Sequence, residues 1–415
     1  MAPPRSLAWL ALALVACGRS ADRDAGAPAP PPDSGTPAPM LRAAAASVDI
    51  TPEPGIEIIG YGARISTGVR DPLEAAVLVL DHDRDRIVLV TLDLPGIDDY
   101  HAAMIENRVA LAARTEPGAV IVTASHTHSA PMLGDDRWST ATLDAIDRIT
   151  EQAVSAMAPA TLAIGEAAID FDINRRLVVD GVSVSRPNPD GPHDSRVRVL
   201  RVRDTDGGSI ATVVHAVCHP NVMLGPTSPW ITADFVGDAR ALRADPSPWL
   251  FLQGAAGDVR PDVMDAAGVE FVEGTSEDVA RVGAQLADAV ARASEEPVEV
   301  DAIAYARVDL ALPLLRGGQR ALALDALRVG PVLLLTIPGE PFVDIGLDVE
   351  GALIAHDPSL TPLIVGYTNG YADYIVTEEA RPFGGYEVNR SLLAPGATGT
   401  LESALYDLGV SVLDP

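Results

Sequence analysis

The sequence predicts a layered α/β domain in which a mixed β-sheet is flanked by helices. In six short segments, an apolar stretch is followed by a polar residue suited to metal or acid–base chemistry. These segments are residues 89–93, 120–128, 213–219, 250–258, 332–340 and 363–374. Runs such as VIVTASHTHSAP and VLLLTIPGEPF are typical of buried strands that break at Gly or Pro. Because ligands bind at the strand ends of such sheets, these polar residues are expected to converge on one site.

The other elements follow in chain order. Residues 44–51 are predicted to form the first strand, and residues 77–80 and 87–92 a hairpin around an Asp-Arg turn. Apolar residues at helical spacing, and the chain after Glu340, predict three helices at residues 100–113, 276–293 and 342–355. Strands that alternate with helices indicate α/β layers, and the hairpins favour a mixed sheet over a purely parallel one.

The chain is strongly acidic. Its 415 residues include 58 Asp and Glu against 30 Lys and Arg, a formal net charge of -28 at pH 7, and 47% of the residues are hydrophobic. This length and composition predict a globular protein with a large core. A chain with this net negative charge lacks the positive electrostatic field that would neutralise the phosphates of a nucleic acid, so the sequence excludes nucleic acid as a partner. The same charge disfavours electrostatic attraction to anionic lipids.

The N-terminus resembles a bacterial lipoprotein signal. Arg5 precedes an apolar run at residues 7–15 that is too short to span a bilayer, and the run leads to Cys17. The resemblance implies that residues 1–16 are a signal peptide and that Cys17 is lipidated. The protein is then anchored in the bacterial cell envelope, at the outer membrane. An ordinary secretory signal with an incidental Cys is the alternative.

Residues 17–40 are rich in Pro, Ala and Gly, which predicts a disordered tether between the anchor and a folded domain. The folded domain is expected at residues 41–415. With Cys17 lipidated, Cys218 is the only other cysteine, so no internal disulfide is available.

Four histidines follow two of the apolar runs. In extended backbone, His126 and His128 would point to the same side and could reach one ion, and a hydrogen-bonded or solvated pair is an equal alternative. His215 and His219 would also share a face of their strand. Because His219 is nearer the break at Pro220, it is the candidate ligand, and His215 is expected to be a hydrogen-bonded structural histidine.

Glu340 stands between Gly339 and Pro341 at the end of another apolar run. The backbone curvature expected at Gly and Pro makes it a candidate metal ligand. The alternative is an acid in the first turn of the following helix, where the helix dipole favours negative charge. Imidazole and carboxylate together are the donors of catalytic zinc sites.

A series of motifs runs along the chain in a defined order: TASHTHSAP at 123–131, Asn174-Arg175-Arg176, His219-Pro220, Gly257-Asp258-Val259, Pro338-Gly339-Glu340 and the tyrosine-rich residues 370–387. This order resembles that of the neutral (non-lysosomal) ceramidases, and the resemblance extends from residue 44 to the C-terminus. Several ordered motifs are far more specific than any one of them. The resemblance implies that residues 41–415 form a ceramidase-like catalytic domain.

The resemblance also implies a set of site residues. The zinc ligands would be His126, His219, Glu340 and Tyr374, with Tyr371 as the alternative to Tyr374. The residues around the scissile amide would be His128, Arg175 and Tyr386.

Two departures from the family pattern bear on function. Where the ceramidases carry a serine that is assigned as nucleophile, this chain has Arg260 after Val259, and Arg260 cannot be a nucleophile at neutral pH. A guanidinium near zinc implies a salt bridge or an anionic group on the substrate. A surface arginine that only aligns with the serine is the alternative. The chain is also expected to lack the immunoglobulin-like C-terminal domain of the larger ceramidases.

Each remaining candidate has a chemical reason. Zn²⁺ with an open position lowers the pKa of bound water toward about 7 and polarises a carbonyl, so metal-activated water can attack an amide without the serine. His128 is expected to move a proton to the leaving amine. Arg175 and Tyr386 are expected to donate hydrogen bonds to the developing oxyanion.

Three aspartates follow the apolar runs. Asp93 and Asp258 are expected to orient histidine ligands as hydrogen-bond acceptors. Asp234 either does the same or caps the helix that begins there.

The sequence therefore predicts a zinc-dependent hydrolase of amide bonds, with N-acyl lipids such as ceramide as the leading substrate class. A zinc hydrolase of the same fold that acts on another amide or ester is the alternative, and Arg260 favours it. A cysteine hydrolase using Cys218 beside His219 is disfavoured, because neighbouring residues of a strand point to opposite faces. A non-catalytic surface lipoprotein is disfavoured by the full set of candidate ligands.

Overall fold

The central strands of the protein are buried on both faces, so other layers must cover them on both sides. In the computed structural model, which describes residues 40–223, 225 and 228–413, every side chain of Val120–Ala124 and of Val332–Thr336 is buried. Valine, isoleucine and leucine suit strands of this kind. The predicted signal peptide, Cys17 and the predicted tether lie outside the described residues, apart from Met40.

The described residues contain the following α-helices: α1 (Asp99–Ala113), α2 (Arg137–Ser155), α3 (Asp234–Ala241), α4 (Ser276–Arg292), α5 (Val343–His356), α6 (Tyr386–Arg390) and α7 (Ala397–Ser411). Helices α1, α4 and α5 confirm the three helices expected from the sequence. Local chemistry fixes where they begin: Asp98 accepts a hydrogen bond from the backbone of α1, and Thr275 forms a capping box with Asp278 at α4.

The strands in the same part of the chain are β1 (Arg42–Asp49), β2 (Glu57–Ile58), β3 (Arg64–Ile65), β4 (Gly68–Val69), β5 (Glu74–His82), β6 (Asp85–Leu92), β7 (Val120–Ala124), β8 (Ala158–Ala168), β9 (Asp172–Val179), β10 (Val182–Asn188), β11 (Arg196–Asp204), β12 (Ser209–Ala216), β13 (Trp230–Ile231), β14 (Trp249–Gln253), β15 (Val259–Pro261), β16 (Glu296–Val298), β17 (Ile303–Pro313), β18 (Gln319–Val329), β19 (Val332–Thr336), β20 (Glu340–Pro341), β21 (Thr361–Val365) and β22 (Tyr374–Ile375). The first strand and the β5–β6 hairpin confirm the sequence prediction, with ends shifted by a few residues.

Two large sheets carry most of these strands. One has the order β14-β12-β11-β8-β1-β5-β6-β7, with β16 beside β8, and the other has the order β17-β18-β19-β21. Three pairs are parallel, namely β6 with β7, β12 with β14, and β19 with β21, and the other pairs in these two sheets are antiparallel. The mixed sheet predicted from the hairpins is confirmed.

The two sheets pack face to face. Leu89 and Ile121 of the larger sheet share one buried cluster with Leu334 and Leu363 of the smaller sheet. Helices cover the outer faces: α1, α2, α3 and α4 pack on the larger sheet, and α5 and α7 on the smaller one. The domain is therefore a layered α/β structure with helices outside and two sheets between them.

The six apolar runs identified in the sequence are β6, β7, β12, β14, β19 and β21, the members of the three parallel pairs. Their carboxyl ends are joined by backbone hydrogen bonds. Ala124 donates to Tyr367 at 3.1 Å, Gly366 donates to Gln253 at 2.9 Å, and Tyr367 donates to Gly339 at 2.9 Å. The loops that follow these strands are thereby held together at one edge. In the described part of the chain, no helix combines the length and apolarity that a bilayer span needs.

Candidate metal centre

The sequence analysis considered His126 and His128 in extended backbone, but the turn after β7 that carries them is not extended. The strand ends at Ala124, and His126 has a left-handed backbone with φ 67°. His126 Nδ1 donates to the carbonyl of Pro95, because a carbonyl can only accept. The Tyr367 ring lies 4.3 Å from the His126 ring. These contacts fix the tautomer, so the lone pair is on Nε2 and faces the interior of the site.

His219 follows β12 and is oriented in the same way. Its Nδ1 donates to the carbonyls of Ala256 at 2.6 Å and Val259 at 3.1 Å. Burial, followed by the charge of Arg175, lowers the pKa of His219 to about 4. The imidazole is therefore neutral, with an available lone pair on Nε2.

The other residues of this segment have structural roles. His215 Nε2 donates to the Ile364 carbonyl at 3.0 Å, as expected of a structural histidine. Cys218 is fully buried, and burial raises the pKa of its thiol well above the usual value. A thiolate is the nucleophilic form of cysteine, so these surroundings count against the cysteine hydrolase alternative.

Glu340 forms the third donor of the cluster. Its strand β20 pairs with β22, where Glu340 lies opposite Tyr374. Glu340 Oε2 lies 3.2 Å from His219 Nε2 and 3.4 Å from His126 Nε2.

His128 lies beside this cluster without the same orienting contact. Its Nε2 is 3.1 Å from His126 Nε2, and its Nδ1 has no hydrogen-bond partner among the described residues. Burial, followed by the neighbouring His126 and His219, lowers the pKa of His128 well below its usual value. The Tyr61 ring lies 5.5 Å from the His128 ring. His128 is therefore a neutral imidazole.

The donor set fits a zinc ion. The three histidines form a group whose nitrogens all lie within 4.8 Å of one another, and Glu340 adds a carboxylate oxygen. Ligand atoms about 2.0–2.1 Å from one tetrahedral Zn²⁺ are roughly 3.3 Å apart. The spacings of Glu340 Oε2 to His126 and His219, 3.4 and 3.2 Å, match that value. Backbone carbonyls also hold Nδ1 of both imidazoles, as metal-binding histidines require.

Both candidate tyrosines lie at the carboxylate. Tyr371 Oη donates to Glu340 Oε1, and Tyr374 also hydrogen-bonds to Glu340. Tyr374 Oη in addition accepts a hydrogen bond from Arg175 Nη2 at 3.0 Å. The prediction of Tyr374 rather than Tyr371 as the fourth ligand stays a prediction.

Arg175 is engaged by several partners. Its Nε donates to Glu387 at 2.8 Å, and its Nη2 donates to the Gly257 carbonyl at 2.7 Å as well as to Tyr374. Desolvation opposes its charge, but Tyr374 and Glu387 raise the pKa of Arg175 well above its usual value. These contacts make Arg175 a positioning residue for Tyr374, and its predicted role as an oxyanion donor stays a prediction.

The prediction that Asp258 orients a histidine is wrong. Asp258 Oδ1 accepts from the Val343 backbone at 2.9 Å, and Oδ2 accepts from Asn174 at 3.0 Å. The carboxylate therefore joins the start of α5 to β9. The carbonyl of Ala256, two residues earlier, orients His219 instead.

The same correction applies to Asp93, which accepts from Arg240 and from the Glu74 backbone rather than from a histidine. Asp234 accepts from the Phe235 backbone at 2.8 Å at the start of α3. Its Oδ2 accepts from the Met223 backbone at 3.1 Å. The predicted cap is wrong, because Asp234 is the first residue of α3 and the N-cap, Ala233, makes no side-chain capping hydrogen bond.

Arg260 is not a surface residue. Its side chain is buried, with 3% of the residue exposed, and its guanidinium stacks on the Phe271 ring at 4.2 Å. The alternative of an exposed arginine that merely aligns with the serine of the ceramidases is wrong.

A cavity of about 280 Å³ opens onto the cluster and is lined by Ile59, Gly60, Pro95, Gly96, His126, His128, Met132, Glu340, Tyr371, Asp373, Tyr374, Tyr386 and Arg390. Tyr386 is 60% exposed and lies at its mouth. Sequence reasoning missed Pro95, Tyr367 and Met132. The Pro-Gly break after Asp93 was a usable signal for Pro95, whereas no local pattern pointed to Met132.

The fold is similar to that of solved ceramidase structures. A neutral ceramidase from Pseudomonas aeruginosa matches with a TM-score of 0.72 and 20% sequence identity, over 90% of this chain and 74% of that chain. A ceramidase complexed with C2 matches with a TM-score of 0.73 and 19% identity, over 90% of this chain and 75% of that chain. No family model and no curated protein matches the sequence. The structural likeness establishes the shared fold and confirms the architecture expected from the motifs.

Proposed function

We propose that this protein is a zinc-dependent hydrolase that cleaves the amide bond of N-acylated, lipid-like compounds. The observation that carries the proposal is the convergence of His126 Nε2, His219 Nε2 and Glu340 Oε2 beside a cavity that His126 and Glu340 line. Fixed tautomers of both histidines leave donor lone pairs pointing at one place. An ion pair between Glu340 and these histidines with only a structural role would not need two Nε2 lone pairs that face the same point.

His126, His219, Glu340 and Tyr374 would hold the ion. Zinc bound there would supply Lewis-acid polarisation of the scissile carbonyl. The chain's own residues do the rest. Neutral His128 can take up a proton from the water that attacks the carbonyl and deliver it to the leaving amine, because its depressed pKa keeps it unprotonated at neutral pH. Tyr386, at the cavity mouth, can donate a hydrogen bond to the carbonyl oxygen as negative charge develops.

Two observations support an N-acyl substrate. The solved structures of the same fold are ceramidases by name. The cavity also combines the apolar side chains of Ile59 and Met132 with tyrosines, which suits an acyl chain next to a polar amide. Arg260, in place of a serine, favours a second candidate, a zinc hydrolase of the same fold that acts on an amide other than ceramide.

We also propose that a lipid on Cys17 keeps the enzyme at the bacterial cell envelope, on the outer membrane. The motif at residues 1–17 supports this anchor. An enzyme held at a bilayer meets lipid substrates at high local concentration.

The test combines metal analysis with an activity panel. Purified protein is analysed for metal content and assayed against C12-ceramide, N-acyl amino acids and the matching esters. We expect one zinc per chain, amide hydrolysis that stops after chelation, and recovery when zinc is restored. Full activity in zinc-free protein would rule out the zinc mechanism. Cleavage of the esters alone would rule out the amide assignment.

A further inference from the structure

Arg260 carries a buried positive charge with no counter-ion. Only 3% of the residue is exposed, and Nε and Nη2 have no hydrogen-bond acceptor among the described residues. Arg260 takes part in none of the ion pairs that join the described residues. Desolvation lowers the pKa of Arg260 to about 10, which still leaves the guanidinium protonated at neutral pH.

The position of Arg260 ties it to the metal centre. The preceding residue, Val259, accepts a hydrogen bond from His219 Nδ1 at 3.1 Å. The charge of Arg175, which donates to Tyr374, also lowers the pKa of Arg260, as expected of two neighbouring cations. Arg260 therefore lies close to the residues of the candidate metal centre, one residue from a contact that orients His219.

The surroundings of Arg260 hold its guanidinium in place. The Phe271 ring lies 4.2 Å from the guanidinium carbon and covers one face, a contact that stabilises a cation. Strand β15 fixes the backbone, since Arg260 lies opposite Ile173 of β9. A buried charge without a partner is strongly unfavourable, and buried guanidinium groups normally pair with carboxylate or phosphate. An anion that arrives with the substrate would remove this penalty.

We propose that Arg260 binds an anionic group of the substrate, so that the enzyme prefers N-acyl compounds that carry an oxyanion near the scissile amide. This inference rests on the proposed amide hydrolysis. Carboxylate and phosphate share the required chemistry, since each offers two oxygens to the guanidinium fork. A serine hydroxyl at this position, as in the ceramidases, carries no such charge. The exchange of hydroxyl for guanidinium thus changes the charge that the site selects.

Matched substrate pairs test the proposal. N-dodecanoylglycine is compared with its neutral N-methyl amide, and N-dodecanoyl phosphoethanolamine with N-dodecanoyl ethanolamine, which separates carboxylate from phosphate. In the wild type, kcat/KM should favour the anionic member. Arg260→Met should reduce that preference on the order of 10- to 100-fold, mainly through KM, and Arg260→Lys should keep part of it. Arg281→Met, an exposed and paired arginine, is the matched control and should keep the full preference.

Binding measured by calorimetry distinguishes failure of the proposed anion site from failure of the proposed amide hydrolysis. The probes are the uncleavable N-dodecylsulfonylglycine and its N-methyl amide, and the thermal midpoint of each variant confirms that it is folded. If wild type cleaves both members of each pair equally, and Arg260→Met changes neither, the anion site is wrong and amide hydrolysis stands. If wild type cleaves no amide yet binds the sulfonylglycine far more tightly than its neutral amide, the anion site stands and the hydrolase is wrong.

Discussion

Arg175 donates from Nε to Glu387 Oε1 at 2.8 Å, with the two side chains only 5% and 4% exposed. The second oxygen of Glu387 accepts from Arg176 Nη1 at 2.5 Å. Because Arg175 also donates to Tyr374, this carboxylate determines where the phenol beside Glu340 lies. A residue outside the donor cluster thus controls the geometry inside it.

Glu387→Gln should destabilise the fold and impair the site together. The change leaves two buried guanidinium groups with a neutral partner, and breaking a buried ion pair costs about 3–5 kcal/mol. Urea unfolding measures that loss, and kcat should fall because Tyr374 is no longer held. Glu378→Gln is the matched control, since its pair with Arg381 is partly exposed and worth at most about 1 kcal/mol. Equal stability of the two variants would contradict the role given to Glu387.

The histidines should separate into ligands and a proton carrier. His126→Ala and His219→Ala should each lose zinc and activity together, because an incomplete ligand set binds metal weakly. His128→Ala should keep zinc and lose turnover by about 100-fold or more. His356→Ala, at the exposed end of α5, is the control and should change neither. Zinc loss in His128→Ala as complete as in His126→Ala would make His128 a ligand.

The fold was largely predictable because its central strands are long buried runs. Six strands lead into the site, and they consist largely of apolar residues: β6, β7, β12, β14, β19 and β21. Such apolar runs can be recognised in the sequence without any tertiary information. Helix α2 was missed, although Leu143, Ile146 and Ile149 recur at helical spacing and Asp136 caps it. The β17–β18 hairpin was missed because exposed residues interrupt its apolar pattern.

The site was predictable as a set of donors but not as a geometry. Pro95 and His126 are 31 residues apart, and Ala256 and His219 are 37 apart, so strand packing alone brings each carbonyl to its imidazole. Sequence reasoning gave the orienting role to Asp258, because carboxylates commonly hold histidines. Backbone carbonyls are present at every residue and leave no signal in the sequence.

The two tyrosines should differ in their effect on zinc. If Tyr374 is the fourth ligand, Tyr374→Phe should weaken zinc binding more than Tyr371→Phe, which removes only a hydrogen bond to Glu340. Loss of a partner that orients a ligand typically costs about 10- to 100-fold in affinity. Competition with a zinc chelator measures both constants. The reverse order would identify Tyr371 as the ligand.

Cys17→Ser should release the protein from the membrane fraction. The acidic chain has no electrostatic attraction to anionic lipid, so the lipid on Cys17 would supply the affinity. Fractionation of cells that express wild type and variant, with labelled fatty acid as tracer, measures this. A variant that stays firmly in the membrane fraction and carries no label would mean that the folded domain binds membranes by itself.

Asp234 should make stability fall as pH rises through the acidic range. Burial raises the pKa of Asp234 from 3.8 to about 6, although backbone N–H groups of Met223 and Phe235 favour its charge. Between these two values the folded state binds more protons than the unfolded state, so the unfolding free energy decreases with pH and levels off above about 6. The difference corresponds to roughly 3 kcal/mol.

The Asp234→Asn variant isolates this contribution, because the other titrating groups cancel in the comparison with wild type. Urea unfolding from pH 4 to pH 7 should show wild type gaining stability relative to the variant as the pH falls. Asp245→Asn is the control of opposite sign: hydrogen bonds from Ser247 outweigh burial and lower the pKa of Asp245, so wild type should lose its advantage at low pH. A constant difference between wild type and Asp234→Asn across the range would mean that Asp234 titrates normally in the folded protein.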